Sequence, residues 1–339
     1  MRVLITGGAG FIGSNFTYYI LENYPDYKIV VFDILNKYSA NPYIKIKFKN
    51  YKNFKFVKGD ITNKKQVETT VKKIDVIVNF AAETHVDRSI IDPEPFIKTN
   101  VLGTKILLDA AKKFSIKKII QISTDEVYGS LEKGKATEDF KLNPGNPYAA
   151  TKAAADLLAI SYFNTYKVPV IITRSSNNFG PYQFPEKFIP LFITNALENK
   201  ELPLYGDGKN IRNWIYVEDN CRAIDLVLQK GKPGEIYNIG GNIEIKNIDV
   251  AKKILSLLGK PESLIKFIKD RPGHDRRYAL DYNKIAKLGW KPKFKFEEAL
   301  EKTVEWYSNN YSWWKKLKGE NFKKYYNNWY KKILGGEQK

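Results

Sequence analysis

Residues 2–6, Arg-Val-Leu-Ile-Thr, form a short apolar run that ends in a glycine cluster: Gly7, Gly8, Gly10 and Gly13. A helical pattern over 12–23 follows at once. Few local sequences restrict a fold more. Glycines at this spacing let backbone approach a ligand closely. A helix opening here aims its unpaired N–H groups and the positive end of its dipole at an anion. A tight turn would use the same glycines, but the strand before and the helix after supply the context of a pyrophosphate site. Further apolar runs at 28–32, 54–57, 74–80, 117–123 and 168–173 alternate with helical patterns near 64–73, 96–114 and 148–166. Continuously apolar strands separated by helices predict a parallel sheet covered on both faces. The expected fold class is α/β: a doubly wound, parallel Rossmann-type sheet with a smaller, mostly helical C-terminal substrate lobe.

The rhythm breaks near residue 175. Asn, Gly, Pro and aromatic residues dominate 176–186 and 203–214, and helical patterns near 187–199, 218–230, 247–258 and 296–309 are joined by loops. We therefore expect a dinucleotide-binding domain over 1–175, with segments near 210–225 returning to it. A substrate lobe would span 176–320 and a tail 321–339. The tail region carries Trp306, Tyr307, Trp313, Trp314, Tyr325, Tyr326, Trp329 and Tyr330 among lysines. Such a pattern can stack single-stranded nucleic acid. Terminal helices packing an aromatic face on the body explain it more simply.

The 339 residues carry a formal charge of +19, yet the lysines are dispersed. Dispersion favours compositional bias over a nucleic-acid footprint, and attraction of an anionic small substrate is a third reading. No apolar run is long enough to span a bilayer, and strand-like sequence from residue 2 leaves no room for a signal peptide. Cys221 is the single cysteine. These points predict a cytoplasmic protein without disulfides and without membrane partners. His85 and His274 have no ligand-spaced partners, so no metal is expected.

Asp33 stands twenty residues after Gly13 at the end of the second strand. A carboxylate there accepts from ribose hydroxyls and repels a 2′-phosphate, which favours NAD. Phe11, Ile12, Asp60, Ile61, Ala81 and Ala82 complete the cofactor candidates, although Asp60 suits a turn cap equally well. Tyr148 and Lys152 are four apart and share a helical face. The ammonium is expected to lower the phenol pKa toward neutrality and make Tyr148 a general base. Thr124 would share the hydroxyl proton. Asp125 and Glu126 follow it. Hydride transfer alone needs neither carboxyl, whereas elimination of water needs a base and an acid whose pKa values are pushed apart. Arg212, Arg271, Arg276 and Arg277 offer forks for phosphate oxygens. The Ala-rich helix near 148–166 (Ala149, Ala150, Ala153, Ala154, Ala155, Ala159) also carries Leu157, Leu158, Ile160, Tyr162 and Phe163. Such a circumference needs cover on two sides, so with the helix near 96–114 it predicts a homodimer.

The segments 7–13, 81–90, 123–129, 148–156, 174–187, 205–214 and 270–278 together resemble the dTDP-glucose 4,6-dehydratases of the extended short-chain dehydrogenase/reductase family, over residues 1 to about 315. The resemblance implies NAD, a nucleotide-sugar substrate, and Thr124, Asp125, Glu126, Tyr148 and Lys152 as the catalytic set. It implies that Asn178 contacts nicotinamide and Thr99 the cofactor. Thr84, His85, Asn177, Glu186, Lys187, Pro203, Tyr205, Arg212, Asn247, Arg271 and His274 would line the substrate site. The loop at 34–39 is a residue longer than the family's usual run, and Thr84 replaces a frequent serine. A UDP-glucose 4,6-dehydratase, or a decarboxylase or epimerase of the same fold, is the nearest alternative. A non-catalytic dinucleotide or nucleic-acid binding protein is a remote one.

Overall fold

The computed structural model describes residues 1–36, 48–241 and 243–331. Its centre is a parallel sheet of seven strands. Six occupy the expected places: β1 (Arg2–Thr6), β2 (Lys28–Asp33), β3 (Phe54–Lys58), β4 (Val76–Asn79), β5 (Lys118–Thr124) and β6 (Val170–Ser175). The seventh, Ile236–Ile239, pairs with β6 and was not legible as a strand in the sequence. Across the sheet the order is Ile236–Ile239, β6, β5, β4, β1, β2, β3. Strand order reverses between β1 and β4, which opens a crevice at their carboxyl ends. β6 is buried along its whole length and β5 at every residue after its first. Their β-branched residues pack well on a pleated surface covered from both sides. Polar side chains under the crevice are satisfied in a row: Thr6 Oγ1 donates to Asn79 Oδ1 at 2.6 Å, and Asn79 Nδ2 to Gln121 Oε1 at 2.8 Å.

The α-helices of more than four residues are α1 (Phe11–Asn23), α2 (Lys64–Val71), α3 (Val86–Ile91), α4 (Thr104–Lys113), α5 (Pro147–Tyr166), α6 (Phe188–Leu197), α7 (Val217–Lys230), α8 (Asn247–Leu257), α9 (Phe296–Asn309), α10 (Tyr311–Leu317) and α11 (Glu320–Tyr326). The helix expected at 96–114 starts as Glu94–Phe96, widens into a π-helical stretch over Ile97–Gly103 and continues as α4. α5 begins after Asn146, whose side chain accepts from the Ala149 N–H, with Pro147 in its first turn. That combination is a strong start signal.

One face of the sheet packs Phe16 and Ile20 of α1 with Ala223, Ile224 and Val227 of α7. The other packs Val67, Leu107, Leu108, Ala159 and Tyr162 from α2, α4 and α5. The chain returns to the first half repeatedly: α7, the strand Ile236–Ile239, Ile285 and Trp290 all join it. The remaining segments build a lobe around Phe179, Phe192, Leu204, Trp214, Ile254, Tyr307 and Trp314. This lobe also contains two small sheets, Ile243–Lys246 with Ile211–Tyr216 and Asn177–Phe179, and Ile265–Ile268 with Leu202–Tyr205. Among the described residues no helix is long and apolar enough to cross a membrane.

Candidate active site

Two connecting chambers lie at the carboxyl edge of the sheet. The larger, about 320 Å³, begins at the glycine loop. Gly7 has φ +66°, and a Cβ on it would fall 2.5 Å from the Ala81 nitrogen. A Cβ on Gly13 would fall 2.3 Å from the Gly7 carbonyl oxygen. Only glycine lets loop, helix and the residues just past β4 crowd this closely. Gly10 caps α1 without a side chain, so the first-turn N–H groups of Phe11, Ile12 and Gly13 keep their capacity for an anion. Asp33 braces the loop: Oδ2 accepts from the Ala9 N–H at 2.9 Å and Oδ1 from the Leu35 N–H at 2.7 Å. Burial raises its pKa, and these two hydrogen bonds oppose the rise. Asp60 Oδ1 caps a turn by accepting from the Thr62 N–H at 2.8 Å, and the residue also lines the chamber. Gly7, Gly10, Phe11, Ile12, Gly13, Asp33, Asp60, Ile61, Ala81, Ala82, Thr99, Tyr148, Lys152 and Asn178 all face this space, as do Phe32, Asn36, Phe80 and Ser175, which sequence reasoning did not single out. Lys37, Tyr38 and Ser39 of the longer loop lie outside the described residues.

The expected catalytic set converges where the chambers meet. β5 delivers Thr124 to the turn Asp125–Tyr128, and α5 brings Tyr148 and Lys152 opposite. Lys152 Nζ donates to the Ile122 carbonyl at 2.5 Å. Burial lowers its pKa to about 8, against the pull of Asp156 one turn further on. Tyr148 corrects our expectation. Its pKa is pushed well above the ordinary value, first by burial and then by Glu126, while a hydrogen bond with Thr124 works the other way. Three carboxylates, Glu126, Asp125 and Asp156, add to the burial, and the Lys152 ammonium is directed at backbone. Asp125 is 2% exposed, and its Oδ1 accepts from the Thr124 hydroxyl at 3.2 Å. Burial and then Glu126 push the Asp125 pKa well up. Burial also raises Glu126, but Arg271, Arg212 and Lys187 pull it back. The two neighbouring carboxyls thus sit in different electrostatic surroundings, with Asp125 the better proton holder.

The smaller chamber, about 170 Å³, collects Thr84, His85, Asn177, Glu186, Lys187, Pro203, Tyr205, Arg212, Asn247, Arg271 and His274. His85 Nδ1 caps α3 by accepting from the Arg88 N–H at 3.4 Å. Lys187 Nζ donates to the Thr84 carbonyl at 2.6 Å. Arg212 Nη2 donates to the Asp275 carbonyl at 2.9 Å, and its guanidinium lies 4.4 Å from the Tyr278 ring centroid. Burial lowers its pKa. Arg276 and Arg277 lie elsewhere: they pair with Asp207 and Glu244 at 2.7 Å each and are not part of the chamber wall. Two arginines of the four therefore remain for a diphosphate.

Several buried polar atoms around the chambers have no partner among the described residues: Asp125 Oδ2, Asn177 Oδ1, Asn178 Oδ1, Gln183 Oε1, Asn247 Oδ1 and Arg271 Nε. Orphaned groups of this kind are costly unless a ligand satisfies them. With the uncapped start of α1 and the bared backbone at Gly7 and Gly13, they fit a dinucleotide in the larger chamber and a polar, anionic substrate in the smaller. Sequence reasoning missed the residues beneath. Asp156 and Arg174 form an ion pair at 2.9 Å, 0% and 2% exposed, and Arg174 Nη1 donates to the Tyr128 hydroxyl at 2.9 Å. An Asp one turn past Lys152, on the buried face of an alanine-rich helix, was the available signal. Asp87 was also passed over, although it lines the smaller chamber and pairs with Arg271 at 2.6 Å.

A doubly wound sheet, a glycine loop at its switch point and a Tyr-x-x-x-Lys pair facing the same chamber define an extended short-chain dehydrogenase/reductase. More narrowly, the chain belongs to the GDP-mannose 4,6 dehydratase family, whose model matches residues 4–303. It is 53% identical over 307 residues to the low-salt glycan biosynthesis protein Agl12 of Haloferax volcanii, covering 91% of this chain and 98% of that one. A dTDP-glucose 4,6-dehydratase of Actinoplanes sp. is 46% identical over 320 residues, 93% of this chain and 100% of that one. The crystal structure of DesIV, a dTDP-glucose 4,6-dehydratase from Streptomyces venezuelae with NAD and dTDP bound, superposes with a TM-score of 0.91 at 46% identity, covering 94% of this chain and 100% of that one.

Proposed function

We propose that this chain is a dTDP-glucose 4,6-dehydratase, which converts dTDP-glucose to dTDP-4-keto-6-deoxyglucose. The observation that carries the reading is the adjacent carboxyl pair, Asp125 buried and Glu126 half-buried, lining one chamber with Tyr148. NAD, when bound, supplies a hydride acceptor for C4 and the corresponding donor for C6. The chain's own residues do the rest. Tyr148 takes the C4 hydroxyl proton, and the Thr124 hydroxyl beside it shares that proton. The positive charge of the oxidised nicotinamide and Lys152 favours the phenolate against the burial that opposes it. The resulting C4 ketone acidifies the C5 proton. Glu126 removes that proton while Asp125, the better proton holder, delivers its own to the departing C6 hydroxyl, which leaves as water. Glu126 returns its proton to C5. The proton that Tyr148 took passes by way of the Thr124 hydroxyl to Asp125 and resets both residues; the sugar has lost only water, so no external reductant is consumed.

The test is to incubate the enzyme with dTDP-glucose and, separately, UDP-glucose, without reductant. Keto-sugar formation from dTDP-glucose with no net gain of NADH is expected. NADH accumulating in step with substrate loss would mark a simple dehydrogenase, and preference for UDP-glucose would reassign the base pocket.

The same reading extends to assembly and location. α5 leaves Leu157 57% exposed, and the helix before it leaves Ile97 53% and Leu102 46% exposed. This supports a homodimer built on those two helices. The single thiol, Cys221, is buried and unpaired, in keeping with a reducing cytoplasm.

A further inference from the structure

The C-terminal segment, beyond the span the family model matches, reaches the rim of the substrate chamber. It is anchored on α6. Trp314 is fully buried and Phe322 is 7% exposed. Lys318 Nζ donates to Asn195 Oδ1 at 2.9 Å and to Glu198 Oε2 at 3.0 Å, and Asn195 Nδ2 donates to the Tyr326 hydroxyl at 3.3 Å. The chain then turns through Asn327–Lys331 and brings Trp329 to Tyr205, whose hydroxyl accepts the indole Nε1–H at 2.6 Å.

Tyr205 is a hub. Its own O–H donates to Asp87 Oδ2 at 2.9 Å, and Arg271 Nη1 donates to Asp87 Oδ1 at 2.6 Å. The Arg271 guanidinium also lies 5.6 Å from the Tyr205 ring centroid, and the His274 ring packs edge-on against that ring at 5.7 Å. Asp87, Tyr205, Arg271 and His274 line the chamber, whereas Trp329 is not part of its wall. A phenol has one proton to donate and an indole N–H can only donate. Trp329 therefore satisfies an acceptor lone pair of Tyr205 and leaves the phenol proton directed at Asp87. Burial works against ionisation of Asp87, but Arg271, His85 and the bonds from Arg271 and Tyr205 hold its carboxyl below the ordinary value. An ionised Asp87 grips one end of Arg271 and leaves the orphaned Nε of that residue for a ligand.

We propose that the C-terminal segment is part of the diphosphate clamp: Trp329, acting through Tyr205 and Asp87, is a positioning residue that holds Arg271 where a nucleotide-sugar pyrophosphate meets it. This rests on the reading of the smaller chamber as the nucleotide-sugar site. The probe is Trp329→Phe in the full chain, which keeps an aromatic ring and removes the N–H. KM for dTDP-glucose, and Kd for dTDP by calorimetry, are expected to rise about three- to tenfold, the worth of one hydrogen bond. The kcat, bound NAD and Tm should stay unchanged. In a Tyr205→Phe background the same change should add nothing, because the acceptor is gone. Unchanged Kd and KM would overturn the proposal. So would a fall in Tm without weaker dTDP binding, or a loss that simply adds to that of Tyr205→Phe. If the parent binds dTDP but turns over no dTDP-glucose, the proposed activity fails while the dTDP titration still reads the relay. If the parent is active and Trp329→Phe binds dTDP normally, the relay alone fails. A parent that binds no dTDP overturns both.

Discussion

In the proposed mechanism Asp125, Glu126 and Tyr148 divide two proton problems among three side chains. Tyr148→Phe should abolish the first oxidation, by about 10²–10⁴-fold, the usual range for a lost general base. Asp125→Asn with Glu126→Gln should leave that oxidation intact and stall elimination. Stopped-flow absorbance would show NADH appearing and persisting, with no 6-deoxy product. Equal loss of both steps in both variants would refute the division; only the step affected is informative, since such units are not additive. The pH profile follows from the same pair. With the proposed roles, elimination needs Glu126 ionised and Asp125 protonated. Both pKa values are raised by burial, Asp125 the more strongly. The rate should therefore fall at low pH as Glu126 gains its proton and at high pH as Asp125 loses its own. The two apparent values belong to the coupled pair. Single-turnover NADH reoxidation across pH should place both limbs above the ordinary carboxylate range of about 4. An acid limb at that ordinary value would show that Glu126 is not the base.

Elements explain which parts of the site could be read from sequence. The glycine loop was legible because most of its constraints are local: Gly13 is needed by loop backbone a few residues away, and Gly7 by Phe80 and Ala81 just past β4. The Tyr148–Lys152 pair was legible because helical spacing alone puts both on one face. What escaped reading depends on elements far apart in sequence. The strand Ile236–Ile239 is four residues long with a buried Asn238 in it, too short and too polar for periodicity to mark. Asp87 gains its meaning only from Tyr205 and Arg271, which two other elements bring to it. The direction of the Tyr148 shift likewise depends on burial, which no spacing reveals. Asp33 lies between these cases. Its position at the end of β2 was legible, but its hold on the Ala9 and Leu35 N–H groups was not. Asp33→Asn should therefore do more than relax NAD over NADP preference. One N–H loses its acceptor, at a cost of about 1–3 kcal/mol, so affinity for both cofactors should fall while the gap between them narrows. Fluorescence titration with NAD and NADP checks this. Equal binding of the two by the parent would remove Asp33 from the ribose.

At the scale of the whole molecule, the question is what covers the outer face of α5. Ala149, Ala155 and Ala159 are fully buried and Ala153 nearly so, against the chain's own body. Ala150 and Leu157 are exposed and Ala154 and Leu158 partly so, at the spacing of one helical stripe. Within the chain the aromatic tail could offer cover, but Trp313, Trp314 and Phe322 belong to the core of the second lobe, not to the cluster that contains α5. The side chains of Tyr325 and Tyr330, and residues 332–339, lie outside the described residues. A twofold-related copy would meet the stripe with Ile97 and Leu102 beside it, and an isologous contact of this kind closes as a dimer. Sedimentation at micromolar concentration should give twice the 39.1 kDa chain mass. Leu157→Asp places a charge in the middle of the proposed seam. A buried, unpaired carboxylate would be several kcal/mol unfavourable, enough to shift micromolar protein to monomer. Because Leu157 points away from both chambers, NAD should remain bound in that monomer. A parent that sediments as a single chain, or a Leu157→Asp variant that stays dimeric, would move the interface off this helix.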